Sequence, residues 1–470
     1  MRSVKKITAV LCTVVFTLMC TFAVNVTASQ NKNYEGVDAA LAENVRKYHV
    51  PAMAVMEVDS NGTLFSGCYG DCTSLDQDFI IGSLSKSFTA LAIMQLAEDG
   101  KVDLDSPITE YIDCGKYFKE GTDYGRITVR NLMNQTSGID TYATFGDLVS
   151  TDSYGSHIYS NANYSLLGVI VQNVSGMSYE DYMQKNVFSP LGMKDTYASL
   201  SEKAEANMVP GYRNFFGLQI AGAPDYPKDL EEISWTSVPG GYLISSPADM
   251  GRYLQMYLRR GEDIVSLPSI YNMFKSVVQG EDEGEHYGMG WMSSRENGKN
   301  KIYHTGLVEN YVAYMYIYPS RDKAGVVLIS MNDYLVNNMF LDNIIAPLTG
   351  SDLPDRSSMY IILHGAIDLV CILLLTAALY PVFTIKKWKK KNKKVVFEII
   401  RHFILPLGLI VLLNLAAPSF VIWLFAKDIW IVTAVCIAAL TVTGIYKLGY
   451  GLYNIRHERG KIRRMTRYNL

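Results

Sequence analysis

The hydrophobic positions of the chain follow three patterns: an apolar run at the start, mixed strand and helix patterns through the middle, and long apolar runs near the end. At the start, Arg2, Lys5 and Lys6 precede an apolar run over residues 7–24. A basic segment, an apolar segment and small residues at a cleavage site are typical of an export signal. We therefore predict a signal peptide over residues 1–28. An uncleaved anchor is the alternative, and both place the following residues outside the cytoplasm.

The apolar runs near the end reach the length of about 17–25 residues that a membrane-spanning helix needs. We predict a linker, three transmembrane helices and a basic tail, in this order: 351–359, 360–385, 403–425, 429–446 and 447–470. Residues 386–394 contain seven lysines, and the tail is also basic. Basic residues mark the cytoplasmic side of membrane helices. The predicted protein is thus a multi-pass protein of the cytoplasmic membrane, with the lipid bilayer as a partner and its C-terminus in the cytoplasm.

Residues 34–350 form the predicted extracytoplasmic domain, with strand patterns at both ends and helical patterns between them. The segments AMAVMEV and TLFSGCYG flank Asp59-Ser60-Asn61-Gly62, a hairpin signal with Asn-Gly at its tip. A second hairpin is predicted where YVAYMYIY and GVVLISM flank PSRDKA. This order favours an α+β fold in which both ends of the domain share one antiparallel sheet.

The charge distribution argues against nucleic-acid binding, and the cysteine spacing argues against a cysteine-bound metal. From Lys386 onward the chain has 16 Lys/Arg and 3 Asp/Glu, a charge of +13, so the net charge of −3 leaves −16 for the rest. Because membrane topology accounts for the basic residues, no nucleic-acid partner is expected. Cys68, Cys72 and Cys114 face an oxidising compartment, where Cys68 and Cys72 could pair, and no cysteine spacing indicates a metal site.

One segment, DFIIGSLSKSFTALAIMQLAEDGK at residues 78–101, predicts a buried helix because it is apolar on nearly every side. Ser83 and Lys86 are three residues apart and share one face at its N-terminal end. A lysine shielded from water loses proton affinity, and a neutral amine can activate a serine for attack. The alternative is a serine N-cap followed by a lysine that reaches solvent. The same spacing occurs at Ser3, Ser29 and Ser320, so the pattern alone is weak.

A second candidate motif, Tyr159-Ser160-Asn161, precedes an apolar helical run. A tyrosine held near a lysine can act as a base through its phenolate, whose pKa the cation lowers. Asn161 could donate a hydrogen bond to a substrate carbonyl. The alternative is a turn in which both side chains satisfy backbone groups.

A third candidate motif, His304-Thr305-Gly306, ends a predicted strand. Gly306 would let a substrate backbone approach the strand. The N–H groups of Leu307 and Ser83 could together form an oxyanion hole. A histidine without a supporting motif is more often structural than functional, and this is the alternative for His304.

In this order, the three motifs resemble those of the serine β-lactamase and penicillin-binding-protein superfamily. The branch is that of the class C β-lactamases, D,D-carboxypeptidases, D-aminopeptidases and related esterases. Connecting segments resemble the same branch, namely DLDSPITEYI, ITVRNLMNQTSGI, VPGGYLISSPADMGRYLQ and YGMGW. The resemblance covers residues 34–331. It implies a β-lactamase/transpeptidase-like α+β domain with an antiparallel sheet, flanking helices and a helical subdomain.

The resemblance also implies a role for each motif residue. Ser83 would be the nucleophile that forms an acyl-enzyme, and Lys86 and Tyr159 would share the acid and base roles. The implied substrate-binding residues are Asn161, His304, Thr305, Gly306 and Leu307. No metal or cofactor is required.

His304 departs from the pattern of the β-lactamases and carboxypeptidases of this branch, which usually have a lysine there that attracts the substrate carboxylate. Histidine is largely neutral at pH 7. We therefore expect a peptidase or amidase that acts on D-amino-acid-containing peptides, either of the cell wall or of a secreted prodrug. A β-lactamase, a penicillin-binding D,D-carboxypeptidase, an esterase and an acylated sensor without turnover remain alternatives.

The three predicted C-terminal helices resemble the layout of membrane peptidases that activate nonribosomal-peptide prodrugs, which leaves an exporter as an open partner. His364 and Asp368 lie four residues apart near the outer end of the first span. Ionisable residues in a span suggest a function. Here an interfacial or interhelical hydrogen bond is the favoured interpretation.

Overall fold

The computed structural model describes residues 27–29, 34–223, 226–227, 237–296, 298–333, 335–351, 353–389, 398, 400–416, 422 and 426–468. They divide into two compact units. The first unit contains the described residues up to Tyr212, with Ala221–Met331 and Leu341–Leu353. The second contains Arg213–Ile220, Asn332–Phe340 and the described residues from Pro354 onward. Most of the predicted signal peptide lies outside the described residues, and the predicted cleavage point after Ala28 falls within a strand, Thr27–Ser29.

The strands of the described residues are β1 Thr27–Ser29, β2 Ala52–Val58, β3 Thr63–Gly70, β4 Phe79–Ile80, β5 Thr196–Tyr197, β6 Tyr212–Phe215, β7 Leu218–Ala221, β8 Ile244–Ser245, β9 Val278–Gln279, β10 His286–Tyr287, β11 Met292–Glu296, β12 Lys299–Leu307, β13 Val312–Tyr318, β14 Lys323–Ile329 and β15 Met331–Asn332. Nine of them form one sheet in the order β1-β3-β2-β14-β13-β12-β11-β10-β9. Each neighbouring pair in this sheet is antiparallel.

The large sheet joins the two ends of the domain, as the sequence predicts. β2 pairs with β14, so early and late strands are neighbours. Asp59 Oδ1 accepts hydrogen bonds from the backbone N–H groups of Asn61 and Gly62, which closes the predicted β2–β3 hairpin. Every residue of β2 and β13 is buried, because the sheet is covered on both faces. The α+β fold with an antiparallel sheet is confirmed.

One carboxylate is buried within this sheet. Glu57 accepts a hydrogen bond from Tyr34 (2.5 Å) and another from Tyr316, and Lys323 Nζ lies 2.7 Å from it. A buried charge is tolerated when it is paired and hydrogen-bonded in this way.

The helices of the described residues are α1 Glu35–Lys47, α2 Ser85–Glu98, α3 Val129–Met133, α4 Asn161–Ser175, α5 Tyr179–Met183, α6 Glu202–Asn207, α7 Pro247–Leu258, α8 Leu267–Met273, α9 Leu341–Thr349, α10 Ser357–Phe383, α11 Ile385–Trp388, α12 Leu405–Ala416 and α13 Lys427–Tyr468. The terminal helices of the first unit meet each other, since Asn44 Nδ2 on α1 donates to the carbonyls of Asn343 and Ile344 on α9. α7 packs on β2 and β14.

Helix α2 is the buried helix that the sequence predicts. Its buried residues lie on all sides, and it packs against α4 and against a helical turn at Val238–Tyr242. The helix ends at Asp99, and Gly100 follows in a left-handed conformation with φ +68°. The interior of the first unit is therefore built around the element that carries the first motif.

The second unit contains two helices that are long and apolar enough to cross a membrane, Ser357–Phe383 and Lys427–Asn454. They correspond to the first and third predicted spans, and the helix of the third continues through the basic tail to Tyr468. The second predicted span, 403–425, falls partly outside the described residues, which show α12 over Leu405–Ala416. The prediction of three transmembrane helices is therefore not confirmed. Part of the lysine-rich loop also lies outside the described residues.

The three cysteines of the predicted extracytoplasmic domain are buried thiols in this structure. Cys68 and Cys72 lie with their sulfur atoms 3.1 Å apart, and Cys114 lies elsewhere in the core. The two sulfur atoms predicted to pair are thus neighbours without a bond between them.

Candidate active site

Ser83 lies in a tight 3₁₀ turn, Gly82–Leu84, that runs directly into α2. The sequence predicts it at the start of the helix itself, and the structure places it in the preceding turn. Ser85 Oγ donates to the Gly82 carbonyl (2.7 Å) and accepts from the backbone N–H of Leu243 (3.1 Å), which fixes the turn against a neighbouring segment. The helix begins without a side-chain cap, so the alternative of Ser83 as an N-cap is wrong.

Lys86 lies in the first turn of α2, with 0% of its side chain exposed. Its Nζ is 3.0 Å from Ser83 Oγ, 2.6 Å from Asn161 Oδ1 and 2.5 Å from the Gly240 carbonyl oxygen. Burial lowers the pKa of the Lys86 amine well below its ordinary value of 10.5. A neutral amine has two N–H donors and one lone pair. Once Lys86 is deprotonated, Asn161 and Gly240 can take its two donors, and the lone pair can then face the Ser83 hydroxyl.

Tyr159 precedes α4, and Asn161 is the first residue of that helix. Lys86 Nζ lies 4.7 Å from the centroid of the Tyr159 ring. Burial raises the pKa of Tyr159 well above 10, although its hydrogen bond with Ser83 acts in the opposite direction. Tyr159 therefore stays a protonated phenol at neutral pH, and the prediction of a phenolate with a lowered pKa is wrong. The shared base role that the resemblance implies for Tyr159 is therefore not supported by its pKa, and a proton-donor role remains a prediction.

Asn161 makes a hydrogen bond with Lys86 that the sequence did not predict. Its Oδ1 accepts from Lys86, so the side-chain amide nitrogen is the end that can face a substrate carbonyl. The residue thus orients the lysine, and its contact with a substrate stays a prediction.

The second motif is held in place by Gln135, which the sequence analysis did not single out. Gln135 has φ +59°, and its Oε1 accepts hydrogen bonds from the backbone N–H of Ser160 (3.0 Å) and from Asn163 Nδ2 (2.5 Å). Ser137 Oγ donates to Asn163 Oδ1 (2.6 Å). The available signal was the segment ITVRNLMNQTSGI, whose buried NQTS residues are polar inside an apolar core.

The third motif forms the end of β12 and passes directly over the Ser83 turn. A Cβ atom on Gly82 would lie 2.4 Å from Leu307 N, and one on Gly306 would lie 2.2 Å from the Ile81 carbonyl oxygen. Gly82 has φ +57°, so it needs glycine for its conformation as well as for space. This close approach brings the Leu307 amide beside Gly82, the residue before Ser83, and the oxyanion hole of the Ser83 and Leu307 amides stays a prediction.

His304 is fully buried and Thr305 is exposed on the opposite face of β12. His304 Nδ1 lies 2.6 Å from the Thr305 carbonyl oxygen, which makes Nδ1 the protonated nitrogen. Burial is the largest cause that lowers the pKa of His304 to about 3, and Lys86 acts in the same direction when it is protonated. Among the described residues, its Nε2 has no hydrogen-bond partner. At neutral pH this side chain therefore offers an acceptor nitrogen and no positive charge.

A further wall of the site, residues 237–243, was noticed in the sequence only as part of a connecting segment. The Gly240 carbonyl accepts from Lys86, and the Pro239 carbonyl accepts from Thr89 Oγ1 (2.8 Å). All three motifs and this segment thus meet at the start of α2. The arrangement is a serine beside a buried amine of lowered pKa, a tyrosine of raised pKa and a glycine-lined strand end.

Comparison with known families agrees with this geometry. A family model described as Beta-lactamase matches residues 37–339, more than half of the 470-residue chain. The chain belongs to the Beta-lactamase family. The match includes all three motifs and confirms the prediction of a β-lactamase-related serine hydrolase.

The chain is also similar to several individual proteins and solved structures. Protein flp of Staphylococcus aureus strain MW2 is 25% identical over 333 residues, which cover 65% of this chain and 65% of that protein. The octameric penicillin-binding protein homologue from Pyrococcus abyssi has a TM-score of 0.57 and 26% identity, covering 67% of this chain and 77% of the other. A D-stereospecific amidohydrolase from Streptomyces sp. shares the fold, with a TM-score of 0.54, 20% identity and coverage of 67% and 99%. This Beta-lactamase-family chain thus spans about 65% of the length of the first curated relatives.

Proposed function

We propose that this protein is a membrane-anchored serine hydrolase that forms an acyl-enzyme on Ser83 and cleaves amide bonds in D-amino-acid-containing peptides. The observation that carries the proposal is the buried Lys86 amine, 3.0 Å from Ser83 Oγ and with a lowered pKa. A neutral amine in contact with a serine hydroxyl is what a serine nucleophile needs to attack at neutral pH.

In the acylation step, Ser83 Oγ attacks the substrate carbonyl carbon while its proton moves to Lys86 Nζ. The Ser83 and Leu307 amides stabilise the negative charge on the carbonyl oxygen. The C–N bond then breaks, the leaving amine takes a proton from the Tyr159 hydroxyl, and the proton held by Lys86 replaces it. A water molecule attacks the ester carbonyl in deacylation, and the proton transfers run in reverse to release the acid and restore Ser83.

The state of His304 favours an amide substrate over a β-lactam or a peptide with a free C-terminal carboxylate. An uncharged imidazole with an acceptor at Nε2 does not attract a carboxylate, whereas it can accept a hydrogen bond from an N–H group. The similarity in fold to a D-stereospecific amidohydrolase motivates the D-configuration in this proposal. The substrate source, either cell-wall peptide or secreted prodrug, is a further part of it.

The membrane part of the proposal rests on two apolar helices, Ser357–Phe383 and Lys427–Asn454. With a third span over 403–425 and the basic segments on the inner side, residues 34–350 would lie outside the cytoplasmic membrane. The bilayer would then be the partner that keeps the hydrolase at the cell surface, beside an exporter or at the cell wall.

Intact-mass spectrometry of the detergent-solubilised protein tests the catalytic proposal. The protein is exposed separately to a penicillin and to an N-acyl-D-aminoacyl fluorophosphonate, with Ser83→Ala alongside. We expect a phosphonyl adduct on the wild type, none on Ser83→Ala, and no stable penicilloyl adduct.

A stable penicilloyl adduct on Ser83 would favour a penicillin-binding or sensor function and show that His304 does not prevent carboxylate recognition. Rapid penicillin hydrolysis without an adduct would favour a β-lactamase. The absence of any labelling would contradict the assignment of Ser83 as a nucleophile.

A further inference from the structure

Two backbone groups of the site are supplied by segments that are far apart in the sequence. The Gly240 carbonyl accepts a hydrogen bond from Lys86, and the Leu307 amide lies over the Ser83 turn. The reaction needs both groups to stay in a fixed position relative to Ser83, because a shift of about 1 Å in a reacting geometry can cost roughly 100-fold in rate. A contact that ties the two segments together would therefore act on catalysis.

The structure contains such a contact two residues beyond each group. Tyr242 OH donates to Glu309 Oε1 over 2.6 Å. Tyr242 is the last residue of the helical turn that carries Gly240. Glu309 is the second residue after β12, which ends at Leu307. Both side chains are buried, with 4% of Tyr242 and 1% of Glu309 exposed.

The backbone on either side of this contact is also fixed. Leu243 N donates to Ser85 Oγ, and its carbonyl accepts from Ile81 N over 3.0 Å. After β12, Val308 N donates to the Tyr311 carbonyl (3.0 Å), which turns the chain back into β13. A displacement of Tyr242 or Glu309 would therefore move the backbone of the site rather than a loose loop.

A buried carboxylate is costly unless it accepts strong hydrogen bonds. A hydroxyl that donates to a carboxylate forms one of the stronger and shorter hydrogen bonds in proteins. We infer that Tyr242 and Glu309 are a positioning pair, which holds the Lys86 acceptor at Gly240 and the oxyanion donor at Leu307 at a fixed separation across the active site. This inference rests on the proposed function, since its effect is on acylation of Ser83.

The test measures phosphonate labelling of Ser83 in the full-length protein as a function of phosphonate concentration. Tyr242→Phe and Glu309→Leu remove the hydrogen bond, whereas Glu309→Gln keeps an acceptor of the same length. We expect the maximal labelling rate to fall roughly 10- to 100-fold in the first two variants, with the half-maximal concentration changed less than about threefold. Glu309→Gln should label within about threefold of the wild-type rate. The Tyr242→Phe/Glu309→Leu double variant should be no slower than the slower single variant.

Tyr316→Phe is the matched control, because Tyr316 also donates from a buried hydroxyl to a buried glutamate, Glu57, elsewhere in the same sheet. It should label at the wild-type rate even if its melting temperature falls. If Glu309→Leu does not fold, Tyr242→Phe and Glu309→Gln carry the comparison.

Three results would overturn the inference. Folded Tyr242→Phe that labels at the wild-type rate would show that the hydrogen bond does not act on acylation. Glu309→Gln as slow as Tyr242→Phe would show that the loss is not caused by the missing acceptor. A wild-type protein that is not labelled at all would overturn the proposed function first, and this inference with it.

Discussion

At the scale of single residues, the proposed acylation depends on the protonation state of Lys86. Burial removes the water that would stabilise its charge, and the two acceptors around Nζ match the two N–H groups of a neutral amine. Ser83 occupies the remaining position. Burial disfavours ionisation of Tyr159 and favours deprotonation of Lys86, so in the proposed mechanism the same environment keeps the acid protonated and the base neutral.

Substitution of Lys86 should abolish acylation even when the new side chain is similar in size to lysine. Lys86→Arg keeps a permanent charge and Lys86→Met removes the amine, so neither can accept the Ser83 proton. We expect the labelling rate of Ser83 to fall by about 10²–10⁴ in both variants. Thermal denaturation should show folded protein for Lys86→Met. A Lys86→Met rate within tenfold of the wild type would assign the base role to another group.

The pH dependence of acylation should also report Lys86. The amine is a base only when it is deprotonated, so the labelling rate should rise with pH and reach its plateau well below pH 10.5. Tyr159 stays protonated throughout this range and should add no descending limb near pH 10. A rate that still rises through pH 10 would contradict a lowered lysine pKa.

His304 should make the protein sensitive to acid. Its pKa is about 3 in the folded state and 6.5 for an ordinary histidine, so between these values only the unfolded chain binds the proton. Its contribution is constant above pH 6.5, and stability falls with decreasing pH by up to about 1.4 kcal/mol per pH unit. His304→Gln cannot titrate. The difference in melting temperature between wild type and His304→Gln should therefore be constant at pH 7–8 and shift against the wild type towards pH 4. A constant difference down to pH 4 would contradict this account.

At the scale of elements, the site depends on the close crossing of β12 over the Ser83 turn. Gly306→Ala would place a Cβ atom 2.2 Å from the Ile81 carbonyl oxygen, and neither backbone can move without shifting the oxyanion donor. We expect labelling of Ser83 to fall by roughly 100-fold and stability to fall by about 1–3 kcal/mol. Gly36→Ala on α1 is the control, since a Cβ atom there meets nothing within 4 Å. Gly306→Ala with normal labelling would show that this crossing does not set the oxyanion geometry.

The elements also show where sequence reasoning succeeds and where it stops. Helix α2 and the β2–β3 hairpin were predictable because apolar spacing and an Asn-Gly turn are local signals. Gln135, Gly240 and Glu309 were not predicted, because each contributes through a neighbour far away in the sequence. The protonation state of Tyr159 required knowledge of its burial, which residue type and spacing do not contain.

At the scale of the whole molecule, the apolar helix α10 carries two ionisable side chains in its N-terminal half, His364 and Asp368. The sequence indicates an interfacial or interhelical hydrogen bond for His364. In the second unit, His364 on α10 bonds to Asp333 in the segment Asn332–Phe340, with Nε2 2.9 Å from Oδ2. Asp368 lies beside the turn at Gly217, where a Cβ atom would be 3.4 Å from its carboxylate.

Asp333 is the centre of this network. It is 1% exposed, and the same oxygen accepts from Asn214 Nδ2 (2.7 Å) and Tyr360 OH (2.8 Å). Burial would raise the pKa of Asp333, but the hydrogen bonds from His364, Asn214 and Tyr360 hold it below its ordinary value. The carboxylate is thus ionised, and it joins α10 to the β6–β7 hairpin through Asn214.

Loss of His364 should loosen that hairpin. Removing a hydrogen bond to a buried charged group costs about 1.5–3 kcal/mol, which corresponds to a roughly 10- to 100-fold rise in local opening. Arg213 in the hairpin is a trypsin site, so cleavage after Arg213 in detergent-solubilised His364→Ala should be faster by about that factor than in the wild type. Thr376→Val, on the same helix with its hydroxyl bonded only to the Ile372 carbonyl among the described contacts, should cleave at the wild-type rate. Equal cleavage of His364→Ala and wild type would show that Asp333 keeps the hairpin closed without the histidine. Faster cleavage would show that the N-terminal part of α10 stabilises the closed hairpin.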